Sequence, residues 1–154
     1  MGGDWLELAI ELATANVDDG GGPFGAVVVL DDEVVGRGVN RVTDSLDPTA
    51  HAEVVAIRDA CRATDRFELE GATLYASCEP CPLCLAASLW ARVDRVVYAA
   101  TRWDAAEAGF DDAAFHEAIT AEPEAWVGRL DHQRHQRSRE PFDAWRANDA
   151  RVPY

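Results

Sequence analysis

Three cysteines, Cys78, Cys81 and Cys84, crowd into seven positions, and thirty residues before the second of them stands His51, followed two positions later by Glu53. No other feature restricts the fold as much, because a chain that uses these groups together must bring two distant segments to one point. The N-terminus Met1-Gly2-Gly3-Asp4 has no basic region, and Glu7 and Glu11 interrupt the apolar positions behind it, so neither a secretory signal nor a membrane anchor is legible. A cytoplasmic location is expected. In that reducing compartment the cysteine spacing reads as metal binding or catalysis rather than as a disulfide framework.

The pattern around the motif is that of an α/β chain. Trp5, Leu8, Ala9, Leu12 and Ala13 fall at helical spacing behind a candidate N-cap, Asp4, and the run from Asp18 to Pro23 ends that helix. Two apolar runs, Ala26 to Leu30 and Val34 to Val39, meet at Asp31-Asp32 as a hairpin would. A helix is expected from Thr49 to Ala63, a strand from Ala72 to Ser77, a helix from Cys81 to Leu89 starting behind Pro80, and a strand from Arg95 to Ala100. A helical crossover between the last two strands makes them parallel. Beyond Ala100 the periodicity weakens, with helical patterns from Asp111 to Ile119 and from Pro141 to Arg151. With 154 residues the chain suits a single domain, residues 1–154, whose core covers about 1–120 and whose C-terminal appendage covers about 121–154.

The two motif segments are His51-Ala52-Glu53 and Pro80-Cys81-Pro82-Leu83-Cys84. H-x-E paired with P-C-x-x-C is the pattern of zinc-dependent nucleobase deaminases. Cys81 and Cys84 are one helical turn apart and share a face, and a helix N-terminus stabilises thiolates there. With His51 as third ligand, two thiolates neutralise a zinc dication and a fourth position stays open for water, whose pKa the metal lowers. One zinc per chain is expected. Glu53, two positions from His51 on a helix, is expected to point away from the imidazole and to serve as a proton-shuttling carboxylate outside the ligand set. A closed site of Cys78, Cys81, Cys84 and His51 is the competing structural arrangement, although Cys78 ends a strand before Pro80, outside the helical turn.

The chain resembles the cytidine deaminase superfamily, and within it the bacterial guanine deaminases. The likeness runs through Gly22-Pro23-Phe24-Gly25-Ala26, Asp47 to Glu53, Ser77 to Pro82, Asp104 to Asp112, and the tail from Ala144 to Tyr154; the stretch from Asp104 to Asp112 and the terminal Tyr154 look particular to the guanine enzymes. The run from Gly128 to Glu140 departs from the pattern and leaves any second acidic shuttle unassigned. The resemblance implies a cytidine deaminase-like three-layer α/β/α sandwich with a central mixed β-sheet and a C-terminal helical tail. It also implies hydrolysis of guanine to xanthine and ammonia in purine catabolism or salvage, and a homodimer whose swapped tail closes the neighbouring site. The residues set around the base would be Phe24, Asn40, Ala52, Trp90, Asp112 and Tyr154. Guanine presents N–H and amino donors side by side, and the carboxylate of Asp112 is the right acceptor for that edge.

Composition bears on the partner. The chain holds 28 Asp and Glu against 14 basic residues, all arginine, for a net charge of -14. Tight binding to a polyphosphate needs a basic surface that releases counterions, so a tRNA adenosine deaminase with the same zinc chemistry is disfavoured, and neither nucleic acid nor membrane is expected as a partner. Deamination of cytosine or of an ammeline-like amino-triazine stays open, as does a non-catalytic zinc-binding interaction domain, for which nothing would require Glu53.

Overall fold

The computed structural model describes residues 4–122 and 130–154. The N-terminal reading of Met1 to Gly3, and the start of the unaligned run at residues 128 and 129, lie outside the described residues. Asp4 caps the first helix, α1 (Trp5–Asp18), its carboxylate accepting the Glu7 N–H at 2.9 Å, and Ala9, Ala13 and Asn16 form the helix's buried stripe. Strands β1 (Gly25–Leu30) and β2 (Glu33–Val39) are joined through Asp31 and Asp32, with φ of 52° and 61°. Positive φ at both central residues is the geometry that matches the twist of a two-residue hairpin, and aspartate tolerates it.

A short helix α2 (Val42–Ser45) precedes α3 (Ala52–Thr64). Then follow β3 (Thr73–Cys78), α4 (Pro82–Trp90), β4 (Arg95–Ala100), α5 (Arg102–Glu107), α6 (Asp112–Thr120) and α7 (Glu140–Ala147). The sheet order is β2-β1-β3-β4; β1 runs antiparallel to both its neighbours, and β3 runs parallel to β4 across α4, as the crossover requires.

Glycines place the helices. A Cβ on Gly25 would strike the Ala9 carbonyl of α1, whereas one on Gly38 would strike the Ala52 carbonyl of α3. Gly25 pairs with Val39 and Ala26 with Gly38, so the two collisions fall on opposite faces of the sheet. Helices therefore cover both faces, giving the three-layer architecture. Because Gly38 has no side chain, the first turn of α3 lies flush on β2, which fixes where His51 and Glu53 start. The core beneath α3 gathers Ala26, Val28, Ala56, Ile57, Ala60, Leu69 and Leu74. Leu69 and Leu74 are fully buried, and truncating either to alanine costs ~2–5 kcal/mol.

Several boundaries differ from the sequence reading. Helix α3 begins at Ala52 rather than Thr49, because the Asp47 carboxylate accepts both the N–H and the hydroxyl of Thr49, at 2.8 and 2.7 Å, and holds that segment as a turn. Helices α2 and α5 have too few residues for an apolar period to show. The tail helix is confined to Glu140–Ala147, and Phe142 and Trp145 on it are 64% and 41% exposed. Among the described residues no helix is long and apolar enough to cross a membrane.

Candidate active site

His51 and Cys81 are the N-cap residues of α3 and α4, each with an extended backbone, and Cys84 lies one turn into α4. The two helix starts meet: His51 Nδ1 is 3.4 Å from Cys81 Sγ and 3.4 Å from Cys84 Sγ, and the two sulfurs are 3.7 Å apart. A tetrahedral zinc with bonds of about 2.3 Å to sulfur and 2.0–2.1 Å to nitrogen requires a sulfur–sulfur edge of about 3.8 Å and nitrogen–sulfur edges of about 3.6 Å. The three side chains form one triangular face of that figure, and among the described residues they are the one group of this kind. Electrostatics agree. The Cys81 thiol is pulled down to about 4 by the hydrogen bond from Cys84 and by the His51 ring, and Cys84 is driven upward because it holds the shared proton. A dication would displace that proton and bind both thiolates.

Cys78 stands outside the group. Its Sγ donates to the Thr101 carbonyl at 3.6 Å, and burial pushes its thiol up to about 11. The closed four-ligand arrangement therefore lacks its fourth member.

A cavity of about 410 Å³ opens beside the cluster, lined by Phe24, Asn40, His51, Glu53, Cys81, Phe110 and Asp112 among others. Glu53 is 7% exposed, and burial raises its carboxyl to about 6. His51 is the cap of α3 and Glu53 lies in its first turn; both line this cavity, and Glu53 is not part of the ligand group. Asp112 enters from the first turn of α6, with its carboxyl raised by burial and by the negative Cys81. Phe24 closes one wall, edge-on to Phe110 with ring centroids 4.8 Å apart.

Three of the residues expected around the base lie elsewhere within this chain. Ala52 is fully buried and packs with Ala26 and Ala56 in the core beneath α3. Trp90 ends α4, six residues beyond the ligand Cys84, and at about 1.5 Å per residue the helix carries it about 9 Å along its axis away from that sulfur's turn. Tyr154 follows it there, 5.9 Å from the Trp90 ring and 6.4 Å from Trp145. Both line a different cavity, of about 540 Å³, with Val54, Ile57 and Ala87. That cavity is larger but contains none of the metal ligands or carboxylates.

The sequence reading missed two supports. Asn16, 7% exposed, donates through Nδ2 to the Gly22 carbonyl at 2.8 Å and to the Asn40 carbonyl at 3.0 Å, tying together the two loops that carry Phe24 and Asn40. A Cβ on Gly21 would collide with that amide, so the glycine run serves close approach. Glu79 also lines the cavity and is gripped by Arg102.

The fold and the His51, Cys81, Cys84 cluster with its buried carboxylate define a class, the zinc-dependent deaminases. Residues 3–100 match the family described as the cytidine and deoxycytidylate deaminase zinc-binding region. The chain is 48% identical over 143 residues to the guanine deaminase of Bacillus subtilis (strain 168), covering 92% of each chain. It is 36% identical over 150 residues to a tRNA-specific adenosine deaminase of Agrobacterium fabrum (strain C58), covering 94% of this chain and 96% of that one. The crystal structure of a Bacillus subtilis guanine deaminase superposes with a TM-score of 0.93 at 46% identity, covering 97% of this chain and 96% of the other. The chain belongs to the cytidine and deoxycytidylate deaminase family.

Proposed function

We propose that the protein hydrolyses guanine to xanthine and ammonia, as a cytoplasmic enzyme of purine metabolism. The observation that carries this reading is Asp112 entering the same cavity as Glu53 and the metal ligands, on a stretch that continues the likeness to guanine deaminases past residue 100. The net charge of -14 and the lower identity to the tRNA enzyme weigh against an RNA substrate.

His51, Cys81 and Cys84 would hold the zinc, which when bound supplies Lewis acidity and lowers the pKa of water at its open position. Glu53 takes the proton of the attacking water, hands it to the ring nitrogen beside the amine-bearing carbon, then takes the second proton from the hydroxyl now on that carbon and delivers it to the amine, which departs as ammonia while the carbonyl forms. A carboxyl raised to about 6 is suited to both tasks near neutral pH. Asp112 accepts from the adjacent donors on the base edge, Asn40 completes the polar contacts, and Phe24 with Phe110 supplies flat apolar walls. Water plus guanine in, and xanthine plus ammonia out, balances without a further reactant.

Ammonia release from guanine, cytosine, adenine and intact nucleosides tests the assignment. Guanine is expected to be preferred, and Asp112→Asn is expected to shrink that preference by about ten- to a hundredfold, because an amide offers one acceptor where the base presents paired donors. Faster turnover of cytosine would overturn it.

The same reading assigns the tail to a partner copy. Phe142, Trp145 and Tyr154 are exposed apolar residues on a segment that leaves its own cavity uncovered, so we assign Tyr154 to the neighbouring site of a swapped homodimer. Deleting residues from Asn148 onward is then expected to cut turnover at least tenfold while zinc content is unchanged, since loss of the cover admits water to the site. Mixing a Glu53→Gln chain with the truncated chain should restore part of the activity, because one site in the hybrid has an intact core and a donated tail. A strictly monomeric enzyme with full turnover would contradict this assignment.

A further inference from the structure

Glu79 occupies the turn between β3 and α4, with Cys78 on one side and Pro80-Cys81 on the other. Its N–H donates to the Ala100 carbonyl at 2.8 Å. Its carboxylate is shared out completely to one residue: Oε2 accepts the Arg102 backbone N–H at 2.9 Å, while Oε1 accepts Arg102 Nε at 3.1 Å and Nη2 at 2.6 Å. The two side chains are 15% and 32% exposed, so the pair is shielded well beyond an ordinary surface contact.

Arg102 opens α5, and the chain from there to Asp112 behaves as one piece. Thr101 and Asp104 form a reciprocal capping box, the Phe110 N–H donates back to the Ala105 carbonyl at 3.0 Å, and α5 packs on α6. This arm is pinned at one end by Glu79 and at the other by the Phe24–Phe110 ring contact. Asp112 follows two residues after the second pin. We infer that Glu79 and Arg102 are positioning residues that hold the 102–112 arm against the cavity, so that Phe110 and Asp112 meet the base in the correct place. This inference rests on the reading of Asp112 as a base-binding group.

The test uses the zinc-loaded protein. In Arg102→Ala, hydrogen exchange is expected to rise across residues 102–112 and to stay unchanged across α4, with zinc still bound at one per chain. KM for guanine should rise by about ten- to a hundredfold, with kcat falling less, as expected when a base-orienting group is displaced by about an ångström. Arg102→Lys should recover part of the loss, because lysine keeps the charge and gives up the fork; it and Glu79→Gln serve if the alanine variant fails to fold. In an Asp112→Asn background, adding Arg102→Ala should raise KM by much less than it does alone, because one of the two contacts that the arm positions is already lost. Effects of Arg102→Ala and Asp112→Asn that multiply, unchanged exchange over 102–112, or loss of zinc would each overturn the inference. If the wild-type protein leaves guanine untouched, the proposed substrate fails, and the exchange pattern alone decides whether the pair holds the arm.

Discussion

Glu53→Gln is expected to keep the fold and one zinc per chain and to lose ~10²- to 10⁴-fold or more in guanine turnover, since positioned proton transfer contributes about that much in a single step and this carboxylate serves more than one. Glutamine is nearly isosteric with this buried glutamate, so the variant changes its chemistry and not its packing. The amide neither accepts the water proton nor returns one to the leaving amine. Metal analysis beside single-turnover measurements checks the result. Turnover within a few-fold of wild type would mean that another group moves the protons.

The second large effect concerns the metal. Cys81→Ser is expected to abolish zinc binding and with it all measurable deamination, because serine replaces a thiolate already favoured at this helix start by an alcohol that does not ionise near neutral pH. Cys78→Ser is the informative companion. Its sulfur is engaged with Thr101 and not with the cluster, so zinc content should be unchanged. Zinc lost in the Cys78 variant as well would favour a closed four-ligand site, which has no open position for chemistry.

The metal cluster was legible in the sequence because its chemistry fixes both residue type and spacing: few arrangements other than a ligand set require His51 thirty residues before Cys81 and Cys84 one turn further. The sheet was legible for a similar reason, since β1, β2, β3 and β4 each carry a short apolar run and α4 lies between the parallel pair. What failed to show were features set by geometry between distant residues. Asn16 looks like an ordinary polar residue in α1, because its partners are backbone carbonyls at Gly22 and Asn40 that carry no sequence mark. Glu79 and Arg102 are two among many charges until the turn brings them together. That His51 caps α3 instead of belonging to it does not show in the sequence either, because the turn that delays the helix start from Thr49 to Ala52 is set by the Asp47 carboxylate. Trp90 and Tyr154 are expected at the base from residue type and resemblance, and the periodicity of the chain carries no mark of where in the fold either of them packs.

The central claim, that a zinc held by His51, Cys81 and Cys84 serves hydrolysis of guanine, is tested most directly by measuring xanthine and ammonia from guanine with the purified protein before chelation, after chelation, and after zinc is restored. The account predicts one ammonia per xanthine, loss of both on chelation, and recovery of both as zinc returns to one per chain. Unchanged turnover after the zinc has been removed, or no xanthine from the zinc-loaded protein under conditions where another base is deaminated, would contradict it.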